Sequence, residues 1–85
     1  MKIELHRSFL KKFKKIPKSV RFKFVERKNL FLKDAFNLQL NNHAVDAAFP
    51  GCRSINVTGD FRAIFKQDGE IVTFVDIGTH ANLYK

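Results

Sequence analysis

Residues Cys52–Ile77 read CRSINVTGDFRAIFKQDGEIVTFVDI, and the pattern of this stretch decides the fold. Three runs within it, CRSINVT, FRAIF and EIVTFVDI, alternate apolar and polar residues with a period of two, as strands with one buried face do. Thr58-Gly59-Asp60 joins the first pair and Gln67-Asp68-Gly69 the second. Gly and Asp accept the tight-turn conformations that β-branched residues resist, so an antiparallel meander is predicted. Parity sorts its side chains. Phe61, Ala63 and Phe65 share one face of the middle strand, and Arg62, Ile64 and Lys66 share the other. In the strand before it, Arg53, Ile55 and Val57 oppose Ser54, Asn56 and Thr58. Each strand therefore offers one apolar face that needs covering and one face that carries polar groups.

The cover lies upstream. KIEL alternates Ile3 and Leu5 with charge and reads as a short strand, followed by Ser8 as the expected cap of a helix FLKKFKKI. In that helix Phe9, Phe13 and Ile16, with Leu10, fall on one side, and Lys11, Lys12, Lys14 and Lys15 fall mostly on another. Pro17 breaks it and can open a second helix running to about Asn37. Val20, Phe24, Val25, Phe31, Leu32, Ala35 and Phe36 form one broad apolar stripe there, with Arg21 and Lys28 inside it reaching water by snorkelling. Leu38–Gly51, marked by Asn-Asn-His and Pro-Gly, reads as loop. The predicted fold is α+β, in the order β-α-α-β-β-β. Two helices cover one face of a mainly antiparallel sheet, and the first strand joins that sheet from the far end of the chain.

Eighty-five residues are expected to form a single domain, 1–85. So short a chain buries only about 60% of its extended surface. Ten Phe among 45% apolar residues compensate and argue against disorder. No apolar run resembles a signal peptide or a membrane span, so a cytoplasmic protein with no membrane partner is expected. Cys52 is the lone cysteine, which excludes an internal disulfide and reads as a small apolar residue at a strand edge rather than a catalytic thiol. His6, His43 and His80 lack ligand spacing, and neither a metal nor another cofactor is expected. Charge is segregated. Residues 1–33 hold twelve Lys/Arg against two Glu, whereas 34–85 hold four against six Asp/Glu. The first part suits an anionic partner such as phosphate, or is simply a solvated helix face.

The chain then closes on residues able to do chemistry. Gly51–Tyr84 resembles the RelE/ParE superfamily of type II toxins, most closely its YafQ-like mRNA interferases. The features are an Arg opening a strand (Arg53), an Asp seven residues on (Asp60), an aromatic-Arg pair (Phe61-Arg62) and a closing Gly-Thr-His-x-x-Leu-aromatic (Gly78–Tyr84). Upstream, Leu40-Asn41-Asn42-His43 matches the family's Leu-x-x-His segment. The resemblance spans almost the whole chain and implies a RelE-like microbial RNase fold. It further implies a ribosome-dependent endoribonuclease that cuts mRNA and is held inactive by a cognate antitoxin, through which the complex binds operator DNA.

Carried across residue by residue, the family's C-terminal acid/base His falls on His80, its loop His on His43, its hairpin Asp on Asp60 and its terminal aromatic on Tyr84. Arg62 takes the place of a phosphate-stabilising Arg. One departure is Asn56, where the YafQ-like pattern has His; an amide can hydrogen-bond substrate but cannot shuttle a proton. The reaction implied has the ribose 2′-OH attack its own 3′-phosphate, which needs a base, an acid and cations. His80 is expected in one proton-transfer role, with His43 or Asp60 in the other. Arg62 would stabilise the phosphorane, and Tyr84 would stack on a base. Asn56 is a candidate substrate contact, and Arg53 is structural or a general phosphate contact. Lys11, Lys12, Lys14 and Lys15 are expected to lend affinity for RNA.

Plainer roles stand beside these: His80 closing a strand, His43 exposed in a loop, Asp60 serving only its turn, Tyr84 sealing the core's edge. Residues after Gly78 are expected to lie beyond the strand ladder and to bury little. Two rival functions share the sequence features. A ParE-like gyrase inhibitor has the same fold without the acid/base residues, and a basic RNA-binding module needs no chemistry at all.

Overall fold

The computed structural model describes residues Met1–Tyr84. The meander forms as three antiparallel strands, here β3 (Arg53–Asn56), β4 (Phe61–Asp68) and β5 (Ile71–Thr79). Both hairpins differ slightly from the sequence reading. β4 runs three residues beyond Phe65, which leaves Gly69 and Glu70 as the second turn; Gly69 has φ +60°, a left-handed conformation that glycine adopts without strain. β1 (Lys2–Leu5) lies parallel to β5, pairing Ile3 with Val72, and so closes the far edge as expected from a strand distant in sequence.

The segment read as loop is more ordered than that. Leu38–Leu40 makes one 3-10 turn capped by the Asn37 side chain, and Leu40 is fully buried. Asn41 then turns the chain at φ 46°, a left-handed position that Asn tolerates better than most residues. A two-residue strand β2 (His43–Ala44) follows and pairs with β3. The sheet order is β1-β5-β4-β3-β2.

One face of this sheet carries α1 (Arg7–Phe13) and α2 (Lys18–Lys33). Phe9, Val20, Phe24 and Phe31 from the helices meet Ile55, Ala63, Phe65, Val72, Phe74 and Ile77 from the strands and Val57 just after β3. The parity predicted for β3 and β4 holds. In β5 it skips a step, from Phe74 to Ile77, because Val75 is an extra residue between the Phe65–Phe74 and Ile64–Asp76 pairs. The bulge leaves the Val75 carbonyl free of the ladder, and the Ser8 hydroxyl donates to it. That bond explains why Ser8 is not the helix cap: His6 caps α1 instead, its Nδ1 accepting from the Ser8 N–H.

α2 departs most from expectation. It stops at Lys33 rather than Asn37, and only the Val20, Phe24 and Phe31 line is buried. Val25, Leu32 and Phe36, expected in the core, are exposed, as is Phe22. The sheet beneath is small, and covers one line of the helix rather than the broad stripe.

Candidate active-site cleft

The opposite face of the sheet owes its shape to the last residues. β5 continues through Gly78 to Thr79, which pairs with Phe61, and the Thr79 side chain caps a one-turn helix α3 (His80–Leu83) by accepting from the Asn82 N–H. The His80 N–H donates to the Asp60 carbonyl, so the helix starts tied to the β3–β4 turn. Leu83 then folds back onto the sheet. It packs over Gly78, where a Cβ would meet the Leu83 side chain at 3.5 Å, an ordinary van der Waals contact. With Cys52 and Ile64, Leu83 makes a second small core, bordered by Val45, Phe49, Val75 and Tyr84. The C-terminus therefore does bury a residue, contrary to expectation: α3 is anchored by Leu83, while His80 stays exposed.

A cleft of about 300 Å³ opens between α3, β2 and the loop that follows it. His43, Ser54, Arg62, His80 and Tyr84 all line it. The sequence reading singled out four of these; Ser54 was missed, since a serine in an alternating strand carries no signal of its own. The His43 Nδ1 lies 2.7 Å from the Asn41 carbonyl oxygen. A carbonyl only accepts, so Nδ1 carries the proton and, in the neutral ring, Nε2 is left with its lone pair. The left-handed Asn41 places that carbonyl, which gives the unusual backbone a chemical consequence. His80 packs against Tyr84 with ring centroids 4.6 Å apart, and Tyr84 also meets Phe49 edge-on at 6.0 Å. Arg62 Nη1 lies 2.9 Å from the Thr58 carbonyl oxygen and 3.1 Å from that of Gly59, which pins the guanidinium to the hairpin turn.

Other candidates lie elsewhere. Asp60 is exposed in the turn and touches the site through its backbone carbonyl. Asn56 is paired with Arg62 across the ladder, on the cleft side of β3, and its Oδ1 is buried without a partner. Arg53 faces the helices: its Nε donates to Asn42 Oδ1 at 2.8 Å and its guanidinium lies over the Phe36 ring at 5.4 Å. The lysines of the first helical segment are outside the cleft. Lys12 pairs with Asp76 at 2.8 Å, and Lys12 and Lys15 line a separate hollow beside Thr79 and Asn82. Burial pushes the Cys52 thiol upward, so it remains protonated near neutral pH.

Comparison with known proteins gives a consistent picture. A family model described as ParE toxin of type II toxin-antitoxin system, parDE, matches residues 3–84. No curated protein matches the sequence. Among solved structures, YafQ from E. coli strain BL21(DE3) is similar with a TM-score of 0.82 at 23% identity, over 98% of this chain and 97% of that one. A chain of the E. coli DinJ-YafQ toxin-antitoxin complex is similar with a TM-score of 0.79 at 23% identity, over 98% and 96%. One from the archaeal RelE-RelB complex of Pyrococcus horikoshii OT3 gives 0.72 at 13% identity, over 92% of each. At such identities the likeness establishes the fold: β-α-α-β-β-β with two helices on one face of the sheet, as read from the sequence.

Proposed function

Because the chain belongs to the ParE toxin family of type II toxin-antitoxin systems, we propose that it is the toxin of such a pair and acts as an endoribonuclease on mRNA at the ribosome. One observation carries this reading: two imidazoles, a guanidinium and a phenol line a single cleft. In the proposed step His43 Nε2 takes the proton of a ribose 2′-OH. The 2′-oxygen forms a bond to the adjacent phosphorus, and the bond from phosphorus to the 5′-oxygen breaks. His80 gives that oxygen its proton, leaving a 2′,3′-cyclic phosphate and a free 5′-OH. Arg62 stabilises the negative charge that grows on the phosphorane, where a forked donor is worth more than a point charge. Tyr84, packed against His80 with the two rings tilted by 44°, offers an aromatic face to an unstacked base. Asp60 serves this scheme by fixing the start of α3 rather than by moving a proton.

The partner proposed is a cognate antitoxin with an acidic, amphipathic segment. The excess of Lys/Arg in residues 1–33 and the exposed Phe22, Val25, Leu32 and Phe36 beside it suit a partner that is both negative and apolar. One of the structures similar in fold is the DinJ-YafQ toxin-antitoxin complex and another is a RelE-RelB complex, which supports the same reading.

The family model names ParE, and the second reading is the one the resemblance implies for ParE-like members, inhibition of gyrase. The pair of histidines in one cleft weighs against it, since blocking a topoisomerase needs no acid and base. A translation extract separates the readings. Cleavage of mRNA on ribosomes with new 5′-OH ends supports the nuclease, whereas intact mRNA together with failed supercoiling by gyrase supports the inhibitor.

A further inference from the structure

Among the described residues, two buried side-chain atoms have no hydrogen-bond partner: Ser54 Oγ and Asn56 Oδ1. Both belong to β3, two residues apart, on the face turned toward the cleft. Ser54 stands between His43 of β2 and Ile64 of β4 in the ladder, and Asn56 stands beside Arg62. Buried polar groups are nearly always paired, and leaving one unpaired is costly. Ala would fill the Ser54 position without an orphaned hydroxyl. The helix side of this segment keeps to the rule, with Ile55 of β3 and Val57 just after it fully buried and apolar. The two exceptions fall together, next to the groups that the proposed chemistry uses.

We propose that Ser54 is a substrate-binding residue whose hydroxyl donates to an oxygen of the RNA sugar–phosphate backbone, with Asn56 Oδ1 accepting from a ribose or base donor beside it. The inference rests on the cleft being a nuclease site and adds its floor. A hydroxyl satisfied only when substrate is present adds no charge of its own, and it complements Arg62, which supplies the charge. Ser54 lines the same cleft as His43 and His80, both of which are exposed, so the strip lies beside groups that a ligand can reach. Asn56 Oδ1 can only accept, so a phosphodiester group, which carries no proton to donate, cannot satisfy it. A ribose hydroxyl or an exocyclic amine can, which suits the strip to the sugar or base that flanks a phosphodiester.

The decisive variant is Ser54→Ala, because a substrate-binding hydroxyl and a structural one move its two readouts differently. Single-turnover cleavage of mRNA on programmed ribosomes is expected to slow about tenfold. The melting temperature is expected to hold or to rise by up to about 5 °C, as an unpaired buried hydroxyl is removed. Binding of a non-cleavable RNA trinucleotide, 2′-deoxy at the scissile position, is measured alongside and is expected to weaken about fivefold. Cleavage and binding at wild-type levels would overturn the assignment and leave the nuclease reading intact. A melting temperature lowered by several degrees, together with slower cleavage, would also overturn it by showing that the hydroxyl holds the fold. If the wild-type protein does not cut RNA, the nuclease reading fails. The trinucleotide then decides alone: weaker binding by the variant keeps Ser54 as an RNA-binding residue, and equal binding removes it.

Discussion

His80 and Arg62 answer to different physical tests. His80 is exposed and its side chain meets Tyr84 in a tilted ring contact, so His80→Ala should leave melting unchanged within a degree or two. A missing acid or base typically lowers rate about 10²–10⁴-fold, and single-turnover cleavage on ribosomes should show a loss of that size. Cleavage near the wild-type rate would mean that the acid lies elsewhere. Arg62→Lys should retain more activity than Arg62→Ala, since lysine keeps the charge but loses the fork. Asn41 acts at one remove, by presenting its carbonyl to His43. Asn41→Gly keeps the left-handed turn, and its activity should stay within about twofold of wild type. Asn41→Val resists that turn, at a cost of about 1–2 kcal/mol, and should lower the cleavage rate further than its melting temperature explains. Cys52 provides a control. Its raised pKa means that the folded protein still holds the thiol proton at a pH where the unfolded chain has released it. Reaction with a thiol reagent at pH 8 should be slow until denaturant is added.

Two elements carry separable duties. α3 is one turn long and cannot be stable alone, so its place depends on Leu83 against Ile64 and Cys52. Leu83→Ala should cost about 2–3 kcal/mol and should impair cleavage as well, because His80 and Tyr84 lose their support together. The lysines of α1 and the turn after it should act on affinity alone. Changing Lys11, Lys12, Lys14 and Lys15 to Gln should reduce the salt dependence of ribosome binding by roughly one unit of slope for each phosphate no longer neutralised, with the saturated cleavage rate unchanged. Lys12 already pairs with Asp76, so it should contribute least of the four. An unaltered slope would show these side chains to be a solvated face.

At the scale of the whole molecule, Phe74 is the point on which the helices and sheet converge. Its ring lies 5.1–6.3 Å from those of Phe9, Phe24, Phe31 and Phe65. Phe74→Ala should cost about 3–5 kcal/mol, a large share of the roughly 5–15 kcal/mol typical of a domain. Chemical denaturation should find the variant largely unfolded at 37 °C. Neutralisation is a property of the whole surface too. Production without an acidic partner should arrest growth, and robust growth with abundant folded protein and unchanged translation would count against a toxin.

The sequence determined by itself what depends on local pattern. Period-two alternation with Gly-Asp and Asp-Gly turns specified the meander and the face of each β3 and β4 side chain. The closing Gly-Thr-His-x-x-Leu-Tyr pointed to His80 and Tyr84, and Leu-x-x-His to His43. Only the tertiary structure decided what depends on who lies opposite. The bulge at Val75 draws Ser8 away from capping, and a five-strand sheet is too narrow to bury Val25, Leu32 and Phe36. Leu83 turns the tail into a packed wall of the cleft. Parity likewise sends Arg53 to the helix side, although whether its guanidinium finds Phe36 or a phosphate is settled only by the neighbours brought there. Ser54 shows the limit most plainly: nothing in the order of residues marks its hydroxyl as unpaired, because a missing partner is a property of the surroundings and not of the chain.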